Sequence, residues 1–460
     1  MRPAVLISVL SVVSGGALLV FAPAIGVLEP VAIRTAGAIV LAVGLWSTAV
    51  VPAHFTSLLF MLLAMLFSLA PAQVVFSGFH AGAIWLVFSG IVLSVAIKDT
   101  GLGGRIAGVM LRRLPDNFLV LCYSVFLLAL LLDFIIPAAV ARVLLLTPIV
   151  VALCDRVGFD GNGAGKGRTG IILAALMGTM APAFAILPAN VPNMAMTGSA
   201  ESIYGINISY GDYFLLNFPV MGVLATLVYP LLIWVMFRET PRRSEDGGVA
   251  KTWSVREARL LAVVAIALSL WITDFAHGVA PAWVSMSAAL FLLLPRIGVL
   301  PPVALTRDVD FGPVLFVAGI IGLGAVATDT GLARSVADSM LAVVHLTPRH
   351  DAWNFAAMTG MGMVVGILTT VPASPAIMTS LAQTMADAAG WPVASALMTQ
   401  VGTWMMFPFP YQAPPVVIVI ALAGLRIGAV MKLLLAYMVF AMLVAMPLQF
   451  LWGSWLGYFS

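Results

Sequence analysis

Asp133 and Arg142 stand nine residues apart inside an apolar run from Phe118 to Cys154. An ionised side chain at the centre of a membrane helix costs about 2.5–3.5 kcal/mol on insertion scales, so each needs a partner or a cavity. Two chemistries suit them. Arg142 can contact an anion while Asp133 takes a cation or a proton, or the two can form a structural pair that locks the legs of a hairpin. Both readings stay open at the level of sequence.

A second group is marked by proline. Pro188-Ala189-Asn190-Val191-Pro192-Asn193 interrupts the apolar run Gly170 to Ala200. Pro408-Phe409-Pro410-Tyr411-Gln412-Ala413-Pro414-Pro415 interrupts the run Val393 to Leu425. Proline lacks a backbone donor and clashes with the preceding turn, so neither segment continues a regular helix. In hydrocarbon the freed backbone groups must face protein or a watery cavity. Asn190, Asn193 and Gln412 offer amide donors to an anion and carbonyl oxygens to a cation. The half-helix starting after each break adds a positive dipole end. The plainer alternative is that these amides only satisfy backbone groups freed by the prolines.

Other polar residues carry weaker signals. Thr369, Thr370 and Ser374 offer oxygens, yet Thr and Ser commonly bond their own helix carbonyls. Asp99 and Asp329, each followed by Thr-Gly-Leu, read as helix-end chemistry. Asp274 and His277 form either a proton relay or an interfacial polar pair. His54 and His80 read as structural, and Met194, Met196, Met405 and Met406 as packing. Cys122 and Cys154 fall in apolar segments and suit buried free thiols. No nucleotide-binding loop, catalytic constellation or metal-ligand spacing stands out, so an enzyme is not expected.

The elements that position these residues must be membrane helices. The 460 residues are 62% hydrophobic and 9% charged, with a mean hydropathy of +1.10. A soluble domain carries about 25% charged residues. A net charge of +3 is too small to argue for nucleic acid. A bilayer crossing needs about 20 apolar residues. On that rule spans fall near 4–28 (a retained first helix within 1–30), 31–51, 54–70, 80–98, 213–237, 258–276, 281–297, 311–329 and 429–452. Broken helices fall at 170–203 and 393–425. Re-entrant hairpins are expected at 118–154, with legs of about 15 residues, too short to cross comfortably, and at 352–388. A basic amphipathic piece runs from Leu102 to Leu114, and a Gly-rich loop from Gly158 to Gly167. The expected fold is an all-α polytopic membrane protein of about 11 transmembrane helices.

The chain also resembles itself. Repeat 1 spans 31–237 and repeat 2 spans 258–456, around a cytoplasmic linker at 238–257. Lys98-Asp99-Thr100-Gly101-Leu102 matches Thr328-Asp329-Thr330-Gly331-Leu332, and Trp46 matches Trp271. Pro188 with Pro192 matches Pro410 with Pro414, and Pro230 matches Pro447. These matches keep their order at offsets of 217 to 230 residues, the signature of an internal duplication. With the amino terminus cytoplasmic, most Lys and Arg fall inside, and Arg34, Arg334 and Arg349 fall outside. That bias makes the repeats inverted and the carboxyl terminus periplasmic. Interrupted helices in corresponding positions of two halves point to a transporter's binding site.

Gly44-Leu45-Trp46-Ser47-Thr48 through Leu58-Leu59, then Gly101-Leu102-Gly103-Gly104-Arg105-Ile106-Ala107, resembles the divalent anion:sodium symporter family. So does Pro410-Tyr411-Gln412-Ala413-Pro414-Pro415. The resemblance implies a homodimer in the bacterial inner membrane. Each protomer would have a scaffold and a sliding, elevator-type transport domain that moves a dicarboxylate, tricarboxylate or sulfate with sodium. It places the hairpin-tip Ser-Asn-Thr motifs on Ala138-Ala139-Val140 and Ala373-Ser374-Pro375. The break motifs fall on Asn190-Val191-Pro192-Asn193 and Ala413-Pro414-Pro415-Val416. Substrate contacts are thereby implied for Ala139, Val140, Ser374, Pro375 and Pro414, beside Arg142, Asn190, Asn193 and Gln412. Cation contacts are implied for Ala138, Ala189 and Ala373, beside Asp133, Thr369 and Thr370. Only Ser374 keeps a polar side chain at the tips, which leaves backbone carbonyls as the other oxygens for a sodium ion. Coupling to sodium or, through Asp133, to protons is expected, with an exporter or exchanger of a less polar acid as the alternative, and an intramembrane enzyme as the rival outside transport. The expected partners are a small anion, the lipid bilayer and a second copy, with no cofactor apart from sodium ions.

Overall fold

The computed structural model describes residues 3–22, 29–48, 50–102, 105, 117–136, 138–159, 165–241 and 254–459. Most of the basic piece Leu102–Leu114, the centre of the Gly-rich loop, Pro137 and the middle of the linker lie outside the described residues. Every regular element among those described is helical, as hydrocarbon requires of open segments whose backbone groups must pair internally. Among the described residues, six helices are long and apolar enough to cross a membrane, and shorter apolar ones accompany them. The chain is an all-α, multi-pass membrane protein.

The first half runs α1 (Pro3–Phe21), α2 (Pro30–Thr48), α3 (Ala53–Leu66) and α4 (Gly82–Thr100). It continues with α5 (Phe118–Ile135), α6 (Ala139–Arg156), α7 (Lys166–Met180), α8 (Val191–Tyr204) and α9 (Tyr210–Phe237). The second half runs α10 (Val255–Ile272), α11 (Pro281–Leu293), α12 (Gly312–Asp329) and α13 (Leu332–Val343). After these come α14 (Asp351–Leu368), α15 (Ser374–Ala389), α16 (Val393–Met405), α17 (Pro414–Ala423) and α18 (Ile427–Trp455). The legs α5 and α6 have 18 residues each, longer than the expected 15. The added residues lie at the carboxyl ends: α5, capped at its start by Asn117, whose side chain accepts from Leu119 N and Val120 N, continues past Asp133 to Ile135, and α6 runs past Cys154 to Arg156.

Local devices recur between the halves. Gly101 and Gly331 both take left-handed φ (74° and 73°) just after α4 and α12, a conformation in which glycine has no Cβ penalty. Trp46 donates its indole N–H to Ala53 O at 3.1 Å, and Trp271 donates to Pro281 O at 3.2 Å. Each ties a helix end to the start of the next helix. A π-turn interrupts α9 at Phe218–Gly222 and α18 at Ala441–Ala445.

Packing divides the helices into two groups. α5 and α6 pack on α7, while α14 and α15 pack on α16. The second halves of the broken helices cross over: α8 packs on α15, and α17 packs on α6. The other group joins α1 to α2, α2 to α3, α3 to α12, α4 to α11, and α10 to α11. α4 and α12 touch both groups through α8 and α15. Close approach inside the first group depends on glycine. A Cβ at Gly178 would lie 2.7 Å from Phe126 O, and one at Gly362 would lie 2.6 Å from the Thr403 methyl.

Candidate functional site

The first hairpin turns at Ile136, which is extended (φ −116°, ψ 104°), as expected of a residue preceding proline. Asp133 sits in the last turn of α5 and Arg142 in the first turn of α6. Arg142 Nε lies 2.8 Å from Asp133 Oδ1, with both side chains fully buried. Each charge stands at the helix end whose dipole disfavours it, so mutual attraction, not capping, holds them there. The Nε–H is poorly aligned with the contact, and among the described residues neither Asp133 oxygen accepts a hydrogen bond. The remaining guanidinium N–H groups reach further. They donate to Ile136 O at the tip, to Ala189 O at 2.9 Å and to Thr179 O at 2.9 Å. One side chain thus joins the hairpin tip to both sides of the first break.

That break runs through two 3₁₀ turns, Pro182–Ala185 and Leu187–Ala189, before Asn190 caps α8. Asn193 donates from its amide to Ala183 O at 2.9 Å and to Ile186 O at 2.8 Å. Tyr213 donates its hydroxyl to Phe184 O at 2.6 Å. Asn190 Oδ1 accepts from Val191 N at 3.2 Å. Asn190 Nδ2 and Asn193 Oδ1 are buried and have no hydrogen-bond partner among the described residues. A donor and an acceptor are therefore left over at one bend.

The second break is stitched to the second hairpin. Gln412 donates to Gly366 O at 2.8 Å, accepts from Phe409 N at 3.0 Å, and receives Val371 N on its backbone carbonyl at 2.9 Å. Tyr411 donates to Ile367 O at 2.5 Å. Trp404 donates its indole N–H to Ser374 Oγ, which in turn donates to Val371 O, both at 3.1 Å. The two breaks meet through aromatic rings: Phe184 lies 6.3 Å from Trp404 and 6.4 Å from Phe407, centroid to centroid. Interrupted helices from the two halves therefore share one buried junction.

A family model described as the sodium:sulfate symporter transmembrane region matches residues 4–459. The chain belongs to this family. It is 28% identical over 261 residues to the inner membrane protein YbhI of Escherichia coli K12, covering 55% of this chain and 54% of that one. It is 28% identical over 235 residues to the L-tartrate/succinate antiporter of the same strain, covering 48% and 47%. The chain spans about half the length of these curated relatives. The crystal structure of the Alcanivorax borkumensis YdaH transporter resembles it in fold, with a TM-score of 0.50 and 12% identity over 83% of this chain and 86% of that one.

In this member of the sodium:sulfate symporter family, the residues singled out by sequence fall in different places. Asn190, Asn193 and Ala189 lie at the first break beside Arg142. Ser374, Thr369, Thr370, Ala373, Pro375 and Gln412 are buried at the second hairpin and break. Thr369 bonds its own helix at Val365 O, 2.7 Å away. Ala138 O receives Arg142 N at 3.1 Å, ordinary helix-start pairing. Ala139 is buried, while Val140 and Pro414 are exposed and stand outside the buried junction. Phe184, Trp404, Phe407 and Tyr213 line the junction and were not singled out, because an aromatic in an apolar run carries no mark that separates lining from packing.

Asp274 and His277 do not pair. Asp274 accepts from Tyr210 N at 2.7 Å, while His277 Nε2 donates to Leu270 O and its Nδ1 accepts from Val279 N. Asp274 lines a cavity of about 730 Å³ between the start of α9, the α10–α11 corner and Phe134 of the first hairpin. Asp99 forms an ion pair with Arg256 rather than a helix cap.

Proposed function

We propose that this chain is a secondary transporter that moves a small anion through the junction of its two broken helices. The observation that carries the reading is that junction: two proline-interrupted helices packed together through Phe184, Trp404 and Phe407, with Asn190 Nδ2 and Asn193 Oδ1 at the first of them, a buried donor and acceptor without hydrogen-bond partners among the described residues. An anion accepts from Asn190 Nδ2 and meets the positive end of α8. The aromatic wall of Phe184, Trp404 and Phe407 suits a less polar organic acid. The two halves are read as inverted repeats, with the amino terminus cytoplasmic. The hairpins and broken helices form the body that slides, elevator-fashion, against the remaining helices, α4 and α12 being the rail. A homodimer with a fixed scaffold fits that motion.

A specific observation favours exchange over sodium-driven uptake. Thr369 and Ser374 donate their hydroxyls to backbone carbonyls, Gln412 bonds backbone through both ends of its amide, and the Arg142 guanidinium already holds the carbonyls at the first tip beside Asp133, which disfavours a hard cation at either hairpin. The similarity to an L-tartrate/succinate antiporter supports the same choice and a dicarboxylate-class substrate. A thermal-shift screen of organic and inorganic anions on the purified protein tests the reading. A saturable stabilisation by at least one small anion, absent in Asn190→Leu, is expected; no stabilisation by any member of the panel would count against it.

A further inference from the structure

At the first hairpin, three carbonyls from separate elements converge on one positive group: Ile136 from the tip, Thr179 from the end of α7 and Ala189 from the end of the break. The Asp133 carboxylate closes the cluster at 2.8 Å. Carbonyls at an unwound turn and at a half-helix end, next to a buried carboxylate, are the ligands that transporters present to a coupling cation. Here the positive group is a side chain of the protein itself, fully buried. Removing the guanidinium would leave a formal negative charge and these carbonyls facing one another in a low dielectric, an arrangement strongly unfavourable without a cation.

We propose that the Arg142 guanidinium is a built-in cation that fills the place a free cation would take, so that the first hairpin binds no sodium ion. The family's expected sodium does not fit this tip: its oxygens are already turned towards Arg142. The Asp133–Arg142 pair has no net charge, so the hairpin stays bonded to the break without any ion entering from solution. The link between hairpin and break is then permanent. In a sodium-coupled site it would form and dissolve with the ion. The binding half of this inference stands on the geometry alone. Its consequence for flux, exchange that is indifferent to sodium, rests on the transport reading above.

Sodium-dependent melting of the purified full chain tests it, with choline replacing sodium at equal ionic strength. Wild type is expected to melt at the same temperature in both salts. Arg142→Met, which keeps length but removes the charge, is expected to gain a saturable upward shift in sodium. That shift should vanish in the Asp133→Asn, Arg142→Met double variant. A sodium shift in wild type, or its absence in folded Arg142→Met, overturns the inference. Should Arg142→Met not fold, Arg142→Lys replaces it: a tethered ammonium should keep the protein sodium-insensitive, and an acquired sodium response would overturn the proposal. These are binding readouts, so loss of flux for other reasons does not imitate either result.

Discussion

Arg142 and Asp133 face each other at 2.8 Å across the turn of the first hairpin, both out of contact with solvent. Neither is placed there by helix chemistry, since each occupies the wrong end of its helix dipole. The pair therefore persists only as a pair, and its value lies in what the guanidinium also holds: the carbonyls of Ala189 and Thr179, 47 and 37 residues away in sequence.

Removing one member should be worse than removing both. Breaking a buried ion pair typically costs about 3–5 kcal/mol, whereas replacing both partners with apolar groups is often neutral. Arg142→Met is expected to melt well below Asp133→Leu/Arg142→Met in detergent without added sodium. Equal melting temperatures would show that the carboxylate is not the partner that makes Arg142 necessary. Asp133→Asn and Arg142→Ala are each expected to abolish transport while still inserting in the membrane, because the first leaves the buried guanidinium without its counter-charge and the second removes the bonds from hairpin to break.

The neighbouring asparagines should separate function from stability. Asn193→Ala removes two hydrogen bonds, leaving the carbonyls of Ala183 and Ile186 only their backbone donors, a loss of about 0.5–1.5 kcal/mol per bond visible as a lower melting temperature. Asn190→Ser keeps a capping oxygen for α8 but removes an amide nitrogen that has no hydrogen-bond partner among the described residues, so it should melt close to wild type yet lose anion-dependent stabilisation. The reverse pattern would move the anion contact from Asn190 to Asn193.

Gly178 sets how closely α7 approaches α5. A Cβ there would lie 2.7 Å from a backbone oxygen, Phe126 O, which cannot swing aside as a side chain can. Overpacking of this kind costs about 1–3 kcal/mol. Gly178→Leu is expected to lower both melting temperature and transport, and wild-type behaviour in both assays would mean that the hairpin does not rest on α7 there.

Asp274 holds the start of α9 from outside, accepting Tyr210 N at 2.7 Å. Loss of a helix-start acceptor costs about 0.5–2 kcal/mol. Asp274→Ala should melt below Asp274→Asn, which keeps an acceptor oxygen. Identical melting of the two variants would show that the hydrogen bond contributes nothing.

Much of the architecture was legible because punctuation survives in apolar sequence. Prolines marked both breaks, Gly101 and Gly331 marked two helix ends, and Trp46 and Trp271 announced matching corners that the indole hydrogen bonds display. What stayed hidden were relations between distant residues. Arg142 read as a partner for Asp133 or an anion, but its bonds to Thr179 and Ala189 depend on where α7 stops in space. Gln412 read as a ligand, yet both ends of its amide bond backbone. Asp274 and His277, three apart, suggested a pair; the helix corner between them turns each towards a different backbone group.

Counterflow in proteoliposomes tests the central claim most directly. Vesicles holding wild type or Asn190→Leu, loaded in turn with small organic and inorganic anions, are diluted into the same labelled anion. The expected result is transient accumulation with at least one anion for wild type and none for Asn190→Leu at equal reconstitution. Undiminished accumulation by Asn190→Leu, or none by wild type with any anion, would contradict a transport site at the meeting of the two breaks.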